Sequence, residues 1–132
     1  HGIIPIANED DAVSLSMSMF TDNDELAGLV AHLVNADLMI ILTDIDGVYT
    51  GDPNLESSEL LSEIHLEDSV DKYLQDLNKK EGEGRGGMKS KVKIAKEAVV
   101  NGVTTIIANG KRENVIVDIV LNEEKIGTEF TK

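Results

Sequence analysis

The sequence predicts a layered α/β fold with a mostly parallel sheet, and two observations support this prediction. Strand-like and helix-like segments alternate along most of the chain. The strands at residues 38–43 and 103–108 are continuous apolar runs, "LMIILT" and "VTTIIA". Unbroken apolar strands are typical of a sheet that is covered on both faces, which is how parallel sheets are built.

The first part of the chain predicts two strands and a helix. Residues 3–7 are expected to form a short buried strand, and Pro5 places that strand at an edge or near its own start. Residues 13–20 alternate apolar and small polar side chains, as a half-buried strand or hairpin arm does. A helix then begins at Asp22, a candidate cap with Glu25 three residues later. Its apolar stripe comprises Leu26, Val30, Leu33 and Val34, and it ends at residues 36–37.

The sequence also predicts the elements that follow the strand at 38–43. We expect a short strand at 60–64, a helix at 67–78, a mobile loop at 78–87 and a helix at 88–101, which Gly102 closes. After the apolar strand at 103–108 come a helix at 113–121 and a terminal strand in "KIGTEF" (125–130).

Composition limits the possible functions. The 132 residues suffice for one domain, and with two Tyr, two Phe and no Trp the core must be aliphatic. No Cys is present, so disulfide and thiolate chemistry are excluded. A formal net charge of -13 repels nucleic acid and anionic lipid, and the longest apolar run, 38–42, is too short to cross a bilayer. We therefore expect no nucleic-acid or membrane partner.

A glycine-rich loop precedes a helix with four lysines in "EGEGRGGMKSKVKIAKEA", residues 81–98. At about 100° per residue, Met88, Val92, Ala95 and Val99 form the core stripe of this helix. Lys89, Lys93 and Lys96 share one side of the helix, and we interpret that side as a basic surface that faces solvent. Lys91 falls on the opposite flank of the stripe. Glycines and a helix start allow a phosphate to approach, and Lys91 would meet it. From these residues alone, phosphate binding and a plain basic surface both stay open.

Three acidic turns lie at strand ends or helix starts: "NEDDAV" (8–13), "TDND" (21–24) and "TDIDGVYTGDP" (43–53). Thr43 and Asp44 close a predicted central strand, and ligands of parallel sheets bind at such ends. Asn8 and its neighbours share that end if the first strand is parallel. Carboxylates that converge there could hold Mg²⁺. Each turn also has a local explanation, because Asp22 caps a helix, Asp46-Gly47 suits a tight turn and Asn8 suits a turn.

These motifs together resemble the amino acid kinase family, and within it the kinases that act on glutamate. "IPIANEDDAV" and "FTDNDELAGLVA" are similar to the segments specific to the glutamate kinases. "LTDIDGVYTGDP", "GRGGMKSKVKIA" and "GVTTIIANGKRENVI…GTEF" are similar to motifs that much of the family shares. The resemblance covers nearly the whole chain, in the right order. It implies a three-layer αβα sandwich of the amino acid kinase or carbamate kinase type, present here in part.

The resemblance implies transfer of the γ-phosphoryl group of ATP to the side-chain carboxylate of glutamate, the first step toward proline, in the cytoplasm and with Mg²⁺. Asp11, Asn23 and Asn8 would bind glutamate. Lys91 would stabilise the transferring phosphoryl group, and Asp24 would orient the catalytic lysines. The nucleotide would meet a longer set of residues, namely Thr43, Asp44, Arg85, Gly86, Gly87, Met88, Lys89, Ser90 and Lys91. The metal ligands stay unassigned, and we expect a homo-oligomer in the full-length protein.

The chain also departs from the family pattern. Asp10 stands where the family usually has Asn, Arg85 stands where Thr is usual, and "DIDG" is closer to the aspartate kinase version of that loop. The N-terminal half of the family's domain has no counterpart. We therefore expect residues 1–132 to be a single, C-terminal nucleotide-binding part of a longer domain, with little activity alone. An aspartate kinase and a non-enzymatic acidic module that binds a cation or a protein are the alternatives.

Overall fold

The computed structural model describes residues 2–8, 23–77 and 87–132, and the predictions for 13–20 and 78–86 lie outside these ranges. Helices and strands are interspersed along the described part, although β2 follows β1 directly and α3 follows α2 directly. In chain order the elements are α1 (Asn23–Leu33), β1 (Leu38–Thr43), β2 (Glu63–His65), α2 (Asp71–Leu77), α3 (Met88–Val100), β3 (Thr104–Asn109), α4 (Val115–Val120) and β4 (Thr128–Thr131).

The described strands form one mixed sheet in the order β1-β3-β4-β2. The pairs β1/β3 and β2/β4 are parallel, whereas β3 and β4 run antiparallel to each other. In the β1/β3 register Leu38 lies opposite Thr104, and Thr43 lies opposite Asn109. Both strands therefore finish at the same level, which we call the carboxyl end of the sheet.

Helices cover both faces of the sheet, and the expected three-layer αβα architecture is confirmed. On one face Met39, Ile41 and Ile107 join the main core cluster, to which α1 and α3 contribute Ala31, Val92, Ile94 and Ala95. On the other face Val115 and Ile119 of α4 pack with Ala108, Leu38, Ile40 and Ile106. The core is mostly aliphatic, as the composition predicts, and Phe130 is its one large aromatic side chain among the buried residues described.

Two short connections determine where the helices start. Helix α1 leads into β1 through residues 34–37, and α3 leads into β3 through residues 101–103. Gly102 makes the second turn with a φ of +88°, and the N–H of Val103 donates to the carbonyl of Ala98 at 3.0 Å. Because each connection is tight, each helix runs back along its strand. The first residues of α1 and α3 therefore lie at the carboxyl end of the sheet.

The predicted strand at residues 3–7 is wrong. Ile3, Ile4 and Ile6 are 80%, 85% and 95% exposed, and residues 2–8 contain no strand. An apolar run becomes a buried strand only when another strand pairs with it and a helix covers it. Neither is present for residues 2–8 among the elements that the structure describes.

Two other predictions need correction. Strand β1 was expected to be central, yet it pairs only with β3 among the described strands. The expected cover on both faces holds for residues 38–41, whereas Leu42 is 43% exposed. The helix expected from residue 67 begins at residue 71. The carboxylate of Asp68 accepts the N–H of His65 at 2.7 Å, and this turn delays the helix.

Lys96 was expected to be part of a solvated basic face, and it is not. Its amine donates to the carbonyls of Asp68 at 2.6 Å and Leu66 at 3.2 Å, so it fixes the segment before α2 to helix α3. Helical periodicity shows which side of the helix a residue occupies. It does not show which loop packs against that side.

Candidate functional site

One short contact at the carboxyl end of the sheet joins the starts of α1 and α3. The Nζ of Lys91 donates to the Oδ2 of Asp24 at 2.6 Å. The two side chains are 14% and 20% exposed, so the pair is partly shielded from water. Lys91 therefore does not extend into bulk solvent, unlike Lys93, whose side chain is 69% exposed.

Local structure explains the position of Lys91. Gly87 is the N-cap of α3 in an extended conformation, and the N–H of Lys91 donates to its carbonyl at 3.2 Å. Lys91 thus lies in the first turn, where backbone N–H groups point along the helix axis and favour an anion. An ammonium group has three donors, so it can bind an anionic ligand while it keeps its bond to Asp24.

A second contact lies beside the first. The Nδ2 of Asn23 donates to the Oδ1 of Asn8 at 3.1 Å. Asn23 is the first residue of α1 and precedes Asp24, so Asn8, Asn23, Asp24 and Lys91 form one group of side chains. Both Asn side chains are exposed and can offer amide donors and acceptors to a small polar molecule.

The other expected nucleotide residues at the start of α3 differ in how far they are exposed. Met88, one of the residues expected near the nucleotide, is 6% exposed and belongs to the core, so only its main chain is available. Lys89 is exposed, whereas Gly87 and Ser90 are half-buried. Asp11, Arg85 and Gly86, the other expected site residues, lie outside the described ranges.

A second group of side chains occupies the ends of β1 and β3. The hydroxyl of Thr43 lies 3.4 Å from the Oδ1 of Asp44, and the N–H of Gly110 donates to the carbonyl of Thr43 at 2.8 Å. The Nδ2 of Asn109 donates to the Oδ1 of Asp46 at 2.8 Å. The two loops that follow the strands are thereby joined next to Thr43 and Asp44.

Asp46 also accepts a hydrogen bond from the hydroxyl of Tyr49, through its Oδ2 at 3.2 Å. Burial raises the pKa of Tyr49 above its ordinary value of 10.0, and the charge of Asp46 and this hydrogen bond raise it further. The phenol therefore stays protonated and remains a donor at neutral pH.

Sequence reasoning missed Asn109 and gave Asp46 only a possible turn role. One signal could have identified both residues. Asn109 ends the apolar strand "TTIIAN" as Thr43 ends "LMIILT", and parallel neighbours bring such terminal residues together.

Metal ligands are not evident from the described residues. Across residues 2–8, 23–77 and 87–132, no three His, Asp or Glu side chains are arranged to hold a metal ion. No helix in these same ranges is long and apolar enough to span a membrane.

The family model and the similar sequences found by comparison with known proteins agree on one family. The sequence model of the amino acid kinase family matches residues 1–109. The glutamate 5-kinase of Bacteroides thetaiotaomicron is 47% identical over 120 residues, which are 91% of this chain and 33% of that enzyme. The glutamate 5-kinase of Clostridium perfringens is 43% identical, over 98% of this chain and 49% of that enzyme. The chain thus spans a third to a half of the length of these relatives.

Solved structures agree on the fold. An isopentenyl phosphate kinase superposes with a TM-score of 0.63 at 27% identity, over 83% of this chain and 37% of that one. The carbamate kinase of Giardia lamblia, bound to AMP-PNP, superposes with a TM-score of 0.58 at 27% identity. That match covers 84% of this chain and 35% of the carbamate kinase.

Proposed function

This chain belongs to the amino acid kinase family, and from that premise we propose that it is the nucleotide-side part of a glutamate 5-kinase. The reaction is the transfer of the γ-phosphoryl group of ATP to the side-chain carboxylate of glutamate, which is the first step toward proline. The proposal is supported by the 47% and 43% identity to two glutamate 5-kinases over nearly the whole chain.

The observation that carries the proposal is the partly buried pair of Lys91 and Asp24, at 2.6 Å. In the reaction, a carboxylate oxygen of glutamate attacks the γ-phosphorus, the bond from that phosphorus to its bridging oxygen breaks, and ADP leaves. No proton is transferred. Catalysis therefore depends on position and on positive charge near the phosphoryl oxygens. Lys91 supplies that charge, and Asp24 holds the ammonium group in one direction.

The substrate side of the site is formed by Asn23, Asn8 and Asp11. Amide N–H groups bind carboxylates, and a carboxylate binds the ammonium group of an amino acid. Asn8 and Asn23, which contact each other at 3.1 Å, would hold glutamate beside Lys91. Asp11 would take its ammonium group.

The nucleotide side comprises Thr43 and Asp44 at the end of β1 and residues 85–91 at the start of α3. Backbone N–H groups in the first turn of α3 and the guanidinium of Arg85 would bind the phosphates. Mg²⁺ normally binds few protein carboxylates and several phosphate oxygens, so we expect it to arrive with the nucleotide. When bound, it would neutralise phosphate charge. No residue is assigned to it.

The wider biological setting follows from the same proposal. Residues 1–132 would be the C-terminal part of one kinase domain in a cytoplasmic enzyme, which is a homo-oligomer in its full-length form. An aspartate kinase is the second candidate, and the "DIDG" sequence at residues 44–47 favours it.

The test compares glutamate and aspartate as substrates of the full-length protein. With ATP, Mg²⁺ and hydroxylamine, an acyl phosphate is trapped as a hydroxamate, which can be measured for glutamate and aspartate in parallel. We expect glutamate to react faster. Faster reaction of aspartate would replace this proposal by the second candidate. Metal binding with no nucleotide binding would contradict both and favour a non-enzymatic module.

A further inference from the structure

Asp46 uses both of its carboxylate oxygens although its side chain is exposed. Oδ1 accepts from the amide of Asn109 at 2.8 Å, and Oδ2 accepts from the hydroxyl of Tyr49 at 3.2 Å. An ionised carboxylate is an acceptor only, and each neighbour presents a donor. The two donors, from Asn109 and Tyr49, therefore match the two acceptor oxygens of Asp46.

The contact to Asn109 connects two separate parts of the chain. The amide oxygen of Asn109 accepts the N–H of Lys111 at 2.9 Å, so its side chain orients the loop after β3 and simultaneously binds Asp46. The neighbouring N–H, that of Gly110, donates to the carbonyl of Thr43 at 2.8 Å. Asp46 thus closes a ring of contacts that runs through Thr43, Asp44 and the loop after β3.

The loop beyond Asp46 is anchored in the core. Val48 is completely buried, and its N–H donates to the hydroxyl of Thr128 at 2.8 Å. Residues 44–47 are therefore fixed at one end by strand β1 and at the other by Val48. Asp46 is the point at which this short loop is tied to the end of β3.

A negative charge at this position needs a physical reason. The proposed ligand is a triphosphate, which a carboxylate repels. Hydrogen bonds to a charged acceptor are stronger than neutral ones, so a carboxylate holds two donors more firmly than an amide would. The benefit is rigidity of the loop, because a site that is already ordered binds its ligand with a smaller entropic cost.

From this geometry we propose that Asp46 is a positioning residue for the nucleotide, which acts through Asn109 and Tyr49. It holds the loops after β1 and β3 at a fixed separation, so that Thr43 and Asp44 face the nucleotide without reorganisation. This inference rests on the proposed kinase function and adds a role for three residues that the family resemblance did not assign.

The test compares variants of the full-length protein for Mg·ATP affinity and for steady-state kinetics. We expect Asp46→Ala and Asn109→Ala each to raise the Kd and the KM for ATP about tenfold, with kcat and the KM for glutamate nearly unchanged. Because both variants break the same contact, the double variant should be little worse than either single one. Asp46→Asn keeps one acceptor oxygen for Asn109 but loses the charge, so it should recover only part of the affinity. Glu56→Ala, an exposed carboxylate in the same long loop, is the control.

One outcome would overturn both the kinase function and this inference, and other outcomes would overturn this inference alone. A wild-type protein that does not bind Mg·ATP overturns the kinase proposal and this inference with it. A wild-type protein that binds, together with Asp46 and Asn109 variants of unchanged affinity, overturns this inference alone. A fall in kcat without a change in KM also overturns it, since that pattern belongs to a residue at the reacting atoms. If Asp46→Ala fails to fold, Tyr49→Phe removes one contact, and an unchanged Kd there counts against the proposal.

Discussion

The amine of Lys91 lies 2.6 Å from the carboxylate of Asp24, although 67 positions separate the two residues in the chain. The contact exists because α1 and α3 pack side by side and both begin at the carboxyl end of the sheet. The family resemblance implies catalytic roles for both residues. The contact fixes the position of the Lys91 amine relative to the Asp24 carboxylate.

The first prediction concerns turnover. In the full-length protein, Lys91→Ala should lower kcat by about 10² to 10³, because the proposed mechanism needs the positive charge of Lys91 most in the transition state. Steady-state assays with saturating ATP and glutamate measure this. Lys93→Ala is the control, since Lys93 is exposed and, among the described residues, forms its ion pair with Glu97 on its own helix. Equal rates in the two variants would remove Lys91 from the proposed role.

The second prediction concerns stability and does not depend on function. Asp24→Ala leaves the partly buried ammonium of Lys91 without this partner and should lower the free energy of unfolding by about 1–3 kcal/mol. The exposed pair of Lys93 and Glu97, at 3.7 Å, should contribute less than about 0.5 kcal/mol. Urea denaturation of Asp24→Ala and Lys93→Ala gives both values. The prediction fails if the two variants are equally stable.

The third prediction concerns Thr128, which is completely buried on β4. Its hydroxyl donates to the carbonyl of Leu61 at 2.6 Å and accepts the N–H of Val48 at 2.8 Å. Thr128→Val keeps the volume, breaks both bonds and should cost about 2–4 kcal/mol. Thr105→Val is the matched control, because Thr105 is equally buried but makes one long bond of 3.3 Å. We expect that control to cost less than about 1 kcal/mol in denaturant titration. A similar loss in both variants would contradict this view of Thr128.

The fourth prediction concerns Gly127, at a φ of +81° before β4. A Cβ atom there would overlap the carbonyl oxygen of Ile107 on β3 and lie 3.1 Å from Ala108. Gly127→Ala should therefore destabilise the protein by more than about 3 kcal/mol. Gly102 has a similar φ of +88° with open space around it, so Gly102→Ala should cost only the backbone strain, about 1–2 kcal/mol. Thermal or urea unfolding distinguishes them, and equal losses would show that overlap is unimportant.

The fifth prediction concerns pH. Burial and Asp46 raise the pKa of Tyr49 in the folded protein above 10.0, so the folded state holds this proton more tightly than the unfolded state. The resulting stability is present below the unfolded pKa and is lost as pH rises through the folded pKa. The stability difference between wild type and Tyr49→Phe should therefore change between about pH 9 and about pH 11, in the direction of lower wild-type stability. A constant difference across this range would contradict the expected shift.

Local sequence patterns were sufficient for most of the elements. The stripe of Met88, Val92, Ala95 and Val99 predicted the buried side of α3, and all four residues are buried. The apolar runs predicted β1 and β3 almost to the residue, because a strand covered on a face must be apolar there whatever its neighbours are. Residues 3–7 show the limit of this reasoning, since the same pattern without a described partner strand gives exposed isoleucines.

For the candidate site, the sequence identified residues, while the fold determined their contacts. Periodicity separated Lys91 from Lys89, Lys93 and Lys96, and motif resemblance selected Asp24. Neither could indicate that Lys96 binds two backbone carbonyls or that Asp46 binds Asn109. These contacts join positions that are far apart in the chain.

The amino-acid sequence by itself determined the order and type of most elements, the aliphatic core and the family, because these depend on local periodicity and on short motifs. Only the tertiary structure decided which polar side chains meet at the carboxyl end of the sheet. The physical reason is that hydrogen bonds and ion pairs act over about 3 Å, and that proximity is created by the parallel register of β1 and β3 and by the packing of α1 against α3.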